Sequence, residues 1–287
     1  MGWVENASPA VEAESQWQTI LVVCLVLSFL SITSVCARLW VRYTARGLAA
    51  DDWLSALSMV FALVYSILCI VRKSLSLPSP HLLPDHKASD ILTWDIETKY
   101  GLGLPIKDRP KENAGPYMRV NYAGRPFYQL GISFFKIALL ISYLRLLQGT
   151  DKRTYRLIVW ISIGLIFLAH LGCTLSLVFA CNPVNKSWDP TITWGSCLPN
   201  GPSFTGYAVV TIVSDIVVAI IPIPLLLKLN VSTKKKVGLI GIFLLGLFTT
   251  VCSIMRYLQI DRIQNGDGNS TMLVLWGTIE FNVGVSN

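Results

Sequence analysis

The chain has 287 residues, 53% of them hydrophobic and only 14% charged, with a formal net charge of +7. A soluble domain carries about a quarter charged residues, so this chain has too few to coat a water-facing globule of its size. Basic proteins attract phosphate, but the Lys and Arg here sit at the ends of apolar blocks, which argues against nucleic acid as a partner and for a lipid bilayer.

A bilayer core of about 30 Å takes roughly 20 apolar residues per helix. On that scale the sequence predicts an all-α, polytopic membrane helix bundle of seven spans, six complete and a short seventh, in a single transmembrane domain over 1–287. The first span covers about 17–37. Its approach is acidic (Glu5, Glu12, Glu14) and lacks the basic start of a signal peptide, so it is expected to stay. A short basic loop with Arg38, Arg42 and Arg46 leads to the second span, 52–71. A long Pro- and Gly-rich loop with charges of both signs follows over 72–125. The third span is 127–147, the fourth 157–179 and the fifth 204–226, where Pro222 and Pro224 kink or end the helix. In the sixth, 237–257, Gly238, Gly241 and Gly246 permit close packing, and Arg256 at the outer end is expected to snorkel to the interface. The last block, 272–287, has 16 residues, fewer than the roughly 17 a span needs at minimum. The expectation is that the chain is a fragment or misspliced product of a longer protein.

Orientation follows from the excess of Lys and Arg in cytoplasmic loops. With the N-terminus outside, the inner loops carry Arg38, Arg42, Arg46, Arg145, Lys152, Arg153, Arg156, Lys228 and Lys234 to Lys236, while the short outer segments carry Lys186, Arg256 and Arg262. The 72–125 loop then lies outside and adds nine more basic residues there, a vote its length weakens without cancelling. Sequons at Asn6, Asn185 and Asn269 fall on the outer face, where glycosylation occurs. A fourth, at Asn230, lies in an inner loop and is expected to stay unmodified. Cys181 and Cys197 share the outer loop between spans four and five, and an oxidising compartment lets them pair. Two free thiols, or a bond to Cys69, are the alternatives. No His/Cys group has zinc spacing, so no metal site is expected.

An ionisable group at membrane depth is expensive unless paired or wet, and is a functional candidate by default. Four stand out: Lys136, His170, Asp215 and Glu280. Each lies eight to eleven residues from the outer end of its span, roughly 12–17 Å deep at 1.5 Å per residue, which puts them in one layer on four segments. One reading is a packing network in which Lys136 pairs with Asp215 or Glu280. The other is a polar ligand-binding pocket or proton relay.

Residues Arg38 to Trp53 (RLWVRYTARGLAADDW) resemble the Arg…Gly-x-Asp-Asp-Trp signature after the first span of the fungal rhodopsin-domain family. Further stretches fit in the family's order: Tyr100–Gly103, the third span with Lys136 and the closing Tyr-Leu-Arg-Leu at 143–146, Cys181–Pro183 with Trp188 and Cys197, Asp215 before Pro222, Arg256, and Trp276 before Glu280. Leu104–Pro105 stand where the family usually has a His, and the chain stops inside the seventh segment. The resemblance implies a seven-spanning fungal membrane protein, with relatives that include receptor-like and toxin-biosynthesis-cluster proteins. It does not imply retinal: a Schiff-base lysine belongs on the last helix, and 272–287 has none, so no cofactor is expected.

The functional expectation is a receptor-like or sensory protein of the plasma membrane rather than an endomembrane. It would bind a small hydrophobic or amphipathic ligand from outside at Lys136, His170, Asp215 and Glu280, with its inner loops facing a cytosolic effector. The rival expectation is a membrane enzyme or accessory protein of secondary-metabolite biosynthesis, its carboxylates serving as acid and base. No catalytic residues are assigned.

Overall fold

The computed structural model describes residues 4, 8, 11, 15–45, 47–70, 72–73, 94–95, 102, 104, 110–146, 153–189, 191–223, 233–265 and 269–286. Among them seven helices run in chain order: α1 (Trp17–Ala45), α2 (Ala50–Ile70), α3 (Ala114–Leu146), α4 (Arg153–Val178), α5 (Asn200–Ile220), α6 (Thr233–Asn265) and α7 (Thr271–Val285). The first six are long and apolar enough to cross a bilayer; α7 is shorter. Helices are the outcome expected of such blocks, because in lipid each backbone N–H and C=O must be satisfied within the segment. Asn6, Asn230, Pro224, Lys152 and most of the 72–125 loop lie outside the described residues.

The third helix is the axis of the bundle. About two thirds of its apolar window (67%) is buried, against 22–33% for the other five spans, and it touches α2, α4, α5 and α7. It begins at Ala114, inside the stretch read from sequence as loop, and carries Pro126 within it. Arg119 and Arg125 made that segment look polar. In its first turns Tyr122 donates to the Val178 carbonyl (2.7 Å) and Arg125 lies over the Phe204 ring (4.8 Å).

Although only 15 residues long, α7 is built into the interior, with ten of its residues buried. Two ring-on-glycine contacts seat it against α3. The Phe281 ring occupies the space beside Gly131, and the Phe135 ring occupies that beside Gly284, where an added Cβ would fall 2.6 Å from the ring. Polar contacts tie it to α1: Ser31 donates to Asn282 Oδ1 (2.9 Å) and Ser34 to the Ser286 carbonyl (3.0 Å).

The loop between α4 and α5 folds into a small clasp. Cys181 and Cys197 are disulfide-bonded and face each other across the two-residue strands β1 (Cys181–Asn182) and β2 (Ser196–Cys197). Gly195 closes the turn at φ +86°, where a Cβ would collide with the Asn182 carbonyl. Trp188 packs at a tilt against Tyr122 of α3, with ring centroids 4.9 Å apart. Asp189 takes Thr191 Oγ1 (2.6 Å) and N–H (3.0 Å) on one oxygen, and these bonds hold its carboxyl below the ordinary range.

Candidate functional site: three polar centres along the central helix

The first centre surrounds Lys136, fully buried on α3. An ammonium has three donors, and here each has an acceptor on α5: Asp215 Oδ1 (2.9 Å), Ser214 Oγ (2.7 Å) and the Thr211 carbonyl (3.0 Å). The other Asp215 oxygen accepts from Ser253 of α6 at 2.7 Å. His170 of α4 extends the chain, with Nε2 3.1 Å from Ser214 Oγ and Nδ1 3.0 Å from Gln129 Nε2 of α3. Since the amide nitrogen only donates, Nδ1 accepts and the imidazole is neutral, its proton on Nε2. Helices α3, α4, α5 and α6 are thus pinned together by a network in which every named group is bonded.

The second centre surrounds Glu280 of α7, also fully buried. It does not pair with Lys136, whose carboxylate partner is Asp215. Glu280 Oε2 instead accepts from Arg256 Nε of α6 (3.0 Å) and Tyr128 OH of α3 (2.8 Å). The expectation that Arg256 snorkels outward is corrected. The sixth helix continues to Asn265, so Arg256 lies nine residues, about 14 Å, below that end rather than at it. Too deep to reach water, its guanidinium turns inward, lies 4.7 Å from the Tyr128 ring centroid and neutralises the carboxylate.

The third centre lies where α1 ends, α2 begins and α3 ends. Asp51 and Asp52, both fully buried, face three arginines. Arg145 Nη1 is 2.9 Å from Asp51, Arg38 is 3.3 Å from each aspartate, and Arg42 is 3.9 Å from each. Ser142 donates to Asp51 at 3.0 Å. Asp52 also reaches back to the Ala49 N–H (3.1 Å), closing half of a capping box at the start of α2. Gly47, at φ +80°, ends α1 with its N–H on the Arg42 carbonyl (3.0 Å) and turns the chain so that the two helices share these charges. The sequence signal was present, in Arg38 to Trp53 and in the Tyr-Leu-Arg-Leu that ends α3, but those motifs lie some ninety residues apart, and nothing in either says that they meet.

The four candidates from sequence therefore split: Lys136, His170 and Asp215 come together, and Glu280 belongs to a separate centre. Gln129, Ser214, Ser253, Tyr128 and Arg256 complete the two and were not singled out as site residues. Among the described residues no group of three His, Cys, Asp or Glu is placed to hold a metal ion.

The fungal rhodopsin domain model matches residues 37–286. The chain is similar to an SAT4 family membrane protein of Emericella nidulans, at 26% identity over 55% of this chain and 41% of the relative. It is also similar to the Fugralins biosynthesis cluster protein 2 of Gibberella zeae, at 27% over 55% and 40%, and to the Receptor GIN3 of Arthrobotrys oligospora, at 24% over 92% and 59%. The chain thus spans roughly four to six tenths of the length of these curated relatives. No solved structure matches. With the matched region covering every helix from the C-terminal part of α1 to the end of α7, the chain belongs to the fungal rhodopsin domain family.

Proposed function

We propose that this protein is a receptor-like sensor in the plasma membrane, N-terminus outside, which answers a small hydrophobic or amphipathic ligand reaching the polar layer of Lys136, His170, Asp215 and Glu280. The observation that carries the reading is that α3 contributes to all three centres. It supplies Tyr128 to the Glu280 centre, Gln129 and Lys136 to the Lys136 centre, and Ser142 and Arg145 to the arginine cluster. A helix held at both depths is a mechanical link from ligand to inner face, where a cytosolic effector would read it. The relative named as a receptor, aligned over 92% of this chain, supports the same reading.

Retinal does not fit the lysine present. Lys136 uses three N–H donors on three buried acceptors, whereas a Schiff-base nitrogen keeps at most one.

The second reading, an accessory or enzyme of secondary-metabolite biosynthesis, is favoured by relatives named for the fugralin and satratoxin clusters. Deleting the gene separates the two. Sensing requires that transcript responses to external compounds be lost while basal metabolites persist. A missing or altered metabolite with those responses intact would select the second reading.

The orientation has its own test. Asn185 is exposed in the outer clasp, and its replacement by Gln is expected to remove one glycosidase-sensitive mass step. A step lost instead on Asn230→Gln would invert the topology.

A further inference from the structure

The arginine cluster where α1 ends, α2 begins and α3 ends does not balance its charge. Three guanidiniums, of Arg38, Arg42 and Arg145, face two carboxylates, of Asp51 and Asp52, which leaves one positive charge over. The geometry shows which arginine carries it. Arg38 and Arg145 hydrogen-bond the carboxylates, at 3.3 and 2.9 Å, whereas Arg42 stands 3.9 Å from each, beyond hydrogen-bond reach. Its side chain is also the most open of the three, at 33% exposed against 18% and 23%. Arg42 therefore keeps its fork of N–H donors for an acceptor outside the cluster. Aromatic side chains mark the depth of this end. Trp40 and Tyr43 on α1 and Trp53 on α2 are all exposed. Each lies one or two residues from a charged member of the cluster, about 3 Å or less along its helix axis, and such rings gather at headgroup level. The rest of this end is basic too. Residues 38–52, 145–156 and 228–236, at the turns from α1 to α2, α3 to α4 and α5 to α6, hold eleven Lys and Arg against three Asp. Of these, Arg153 and Arg156 are exposed at the start of α4.

We infer that this end of the bundle holds an anionic phospholipid, whose headgroup phosphate takes the Arg42 fork. A phosphate meets a guanidinium with two parallel hydrogen bonds, and one negative charge is what the cluster lacks. A lipid rather than a free anion follows from the depth. Arg42 opens at headgroup level, on a helix whose exposed residues Cys36, Trp40 and Tyr43 recur at helical spacing as a face for acyl chains. A net anionic headgroup is favoured over a zwitterionic one, whose ammonium would lie among the other basic residues of this end. With Arg42 on the phosphate, the two aspartates are left to Arg38 and Arg145, charge for charge. The lipid thus completes the junction of α1, α2 and α3. It goes beyond the sensing reading and does not depend on it, because a bound lipid steadies the junction whether or not α3 carries a signal.

Native mass spectrometry of the full chain tests it, titrating the protein in detergent with phosphatidylglycerol or phosphatidylcholine of equal chain length. The unmodified protein is expected to bind one phosphatidylglycerol about fivefold or more tightly than phosphatidylcholine, the scale of one basic residue at an anionic surface. Arg42→Gln is expected to remove that preference. Arg42→Lys, which keeps the charge and the fold but lacks the guanidinium fork, is expected to weaken it. Arg156→Gln, which takes one charge from the same end but none from the cluster, is expected to leave it unchanged. Melting in nanodiscs should follow the same order, with phosphatidylglycerol raising the melting temperature of the unmodified protein and of Arg156→Gln but not of Arg42→Gln. Equal losses in Arg42→Gln and Arg156→Gln would leave only a diffuse basic field and overturn the site, and a preference unchanged in Arg42→Lys would overturn the role of the fork. Displacement of the lipid by millimolar inorganic phosphate would make this a site for a free anion. Arg42-dependent binding of a polyglutamate peptide in phosphatidylcholine nanodiscs would make it a protein contact, and either result overturns the lipid.

Discussion

Replacing either Lys136 or Asp215 alone by alanine is expected to strip the bundle of most of its stability, at a cost of about 3–5 kcal/mol for one orphaned buried charge, out of the 5–15 kcal/mol typical of a folded domain. Without Lys136, the buried Asp215 keeps only the Ser253 hydroxyl at 2.7 Å. Without Asp215, the ammonium keeps a hydroxyl and a carbonyl but no anion. Removing both charges is different. The pair Lys136→Met with Asp215→Leu replaces the bridge by apolar bulk, and exchanges of that kind are neutral to stabilising by about 1–4 kcal/mol. Folded yield by fluorescence-detected size exclusion reads the series. The single variants should collapse and the double variant should recover. A double variant as poor as the singles would show that the charges do more than satisfy each other.

The second large effect sits between α3 and α7. Gly131→Val is expected to undo the seating of α7, because a Cβ there falls within the Phe281 ring and that ring is fully buried. Overpacking a tight core costs about 1–3 kcal/mol and sometimes more, and here the atoms displaced belong to a rigid, fully buried ring. Phe281→Ala in the same chain opens the space and should restore part of the melting temperature. Gly164, which has open space at its Cβ position, should tolerate the same substitution. If Gly131→Val and Gly164→Val melt alike, the ring-on-glycine contact does not hold α7 in place.

Much of this architecture was legible in the sequence because lipid imposes a simple rule: a run of about twenty apolar residues is a helix. The six long helices follow from that rule, and the depth of Lys136, His170 and Asp215 follows from counting along them. What hydropathy misses is amphipathic helix outside the apolar layer. It therefore ended the sixth span near Tyr257, when the helix runs to Asn265, and that shift of two turns misplaced Arg256. It also left the start of α3 as loop, since Arg119 and Arg125 look like solvent-facing charges until Tyr122, Phe204 and the clasp are seen beside them. Counted along the sequence, Glu280 and Lys136 fall at similar depth, and such a count cannot say which neighbour each one faces. The rotation of each helix decides that, and it put Glu280 with Arg256 and Tyr128. The inner arginine cluster escaped for a related reason: its members come from three helices, and each looks locally like an ordinary loop charge.

The proposal that α3 carries a change from the membrane interior to the inner face can be measured directly with a label already in the chain. Of the five free cysteines, Cys36 is exposed and the other four are buried, and Cys36 lies two residues from Arg38 of the inner cluster. A thiol-reactive bimane attached there, in nanodiscs, reports the surroundings of that cluster. Glu280→Gln, which weakens the hold of Arg256 and Tyr128 on α7, is expected to shift the emission maximum at Cys36. Asp51→Asn, which releases Arg145 and Arg38 directly, is expected to produce a shift of the same sign, with little added by the second substitution when both are present. Emission at Cys36 identical in the unmodified protein and in Glu280→Gln, with Asp51→Asn still shifting it, would contradict the link.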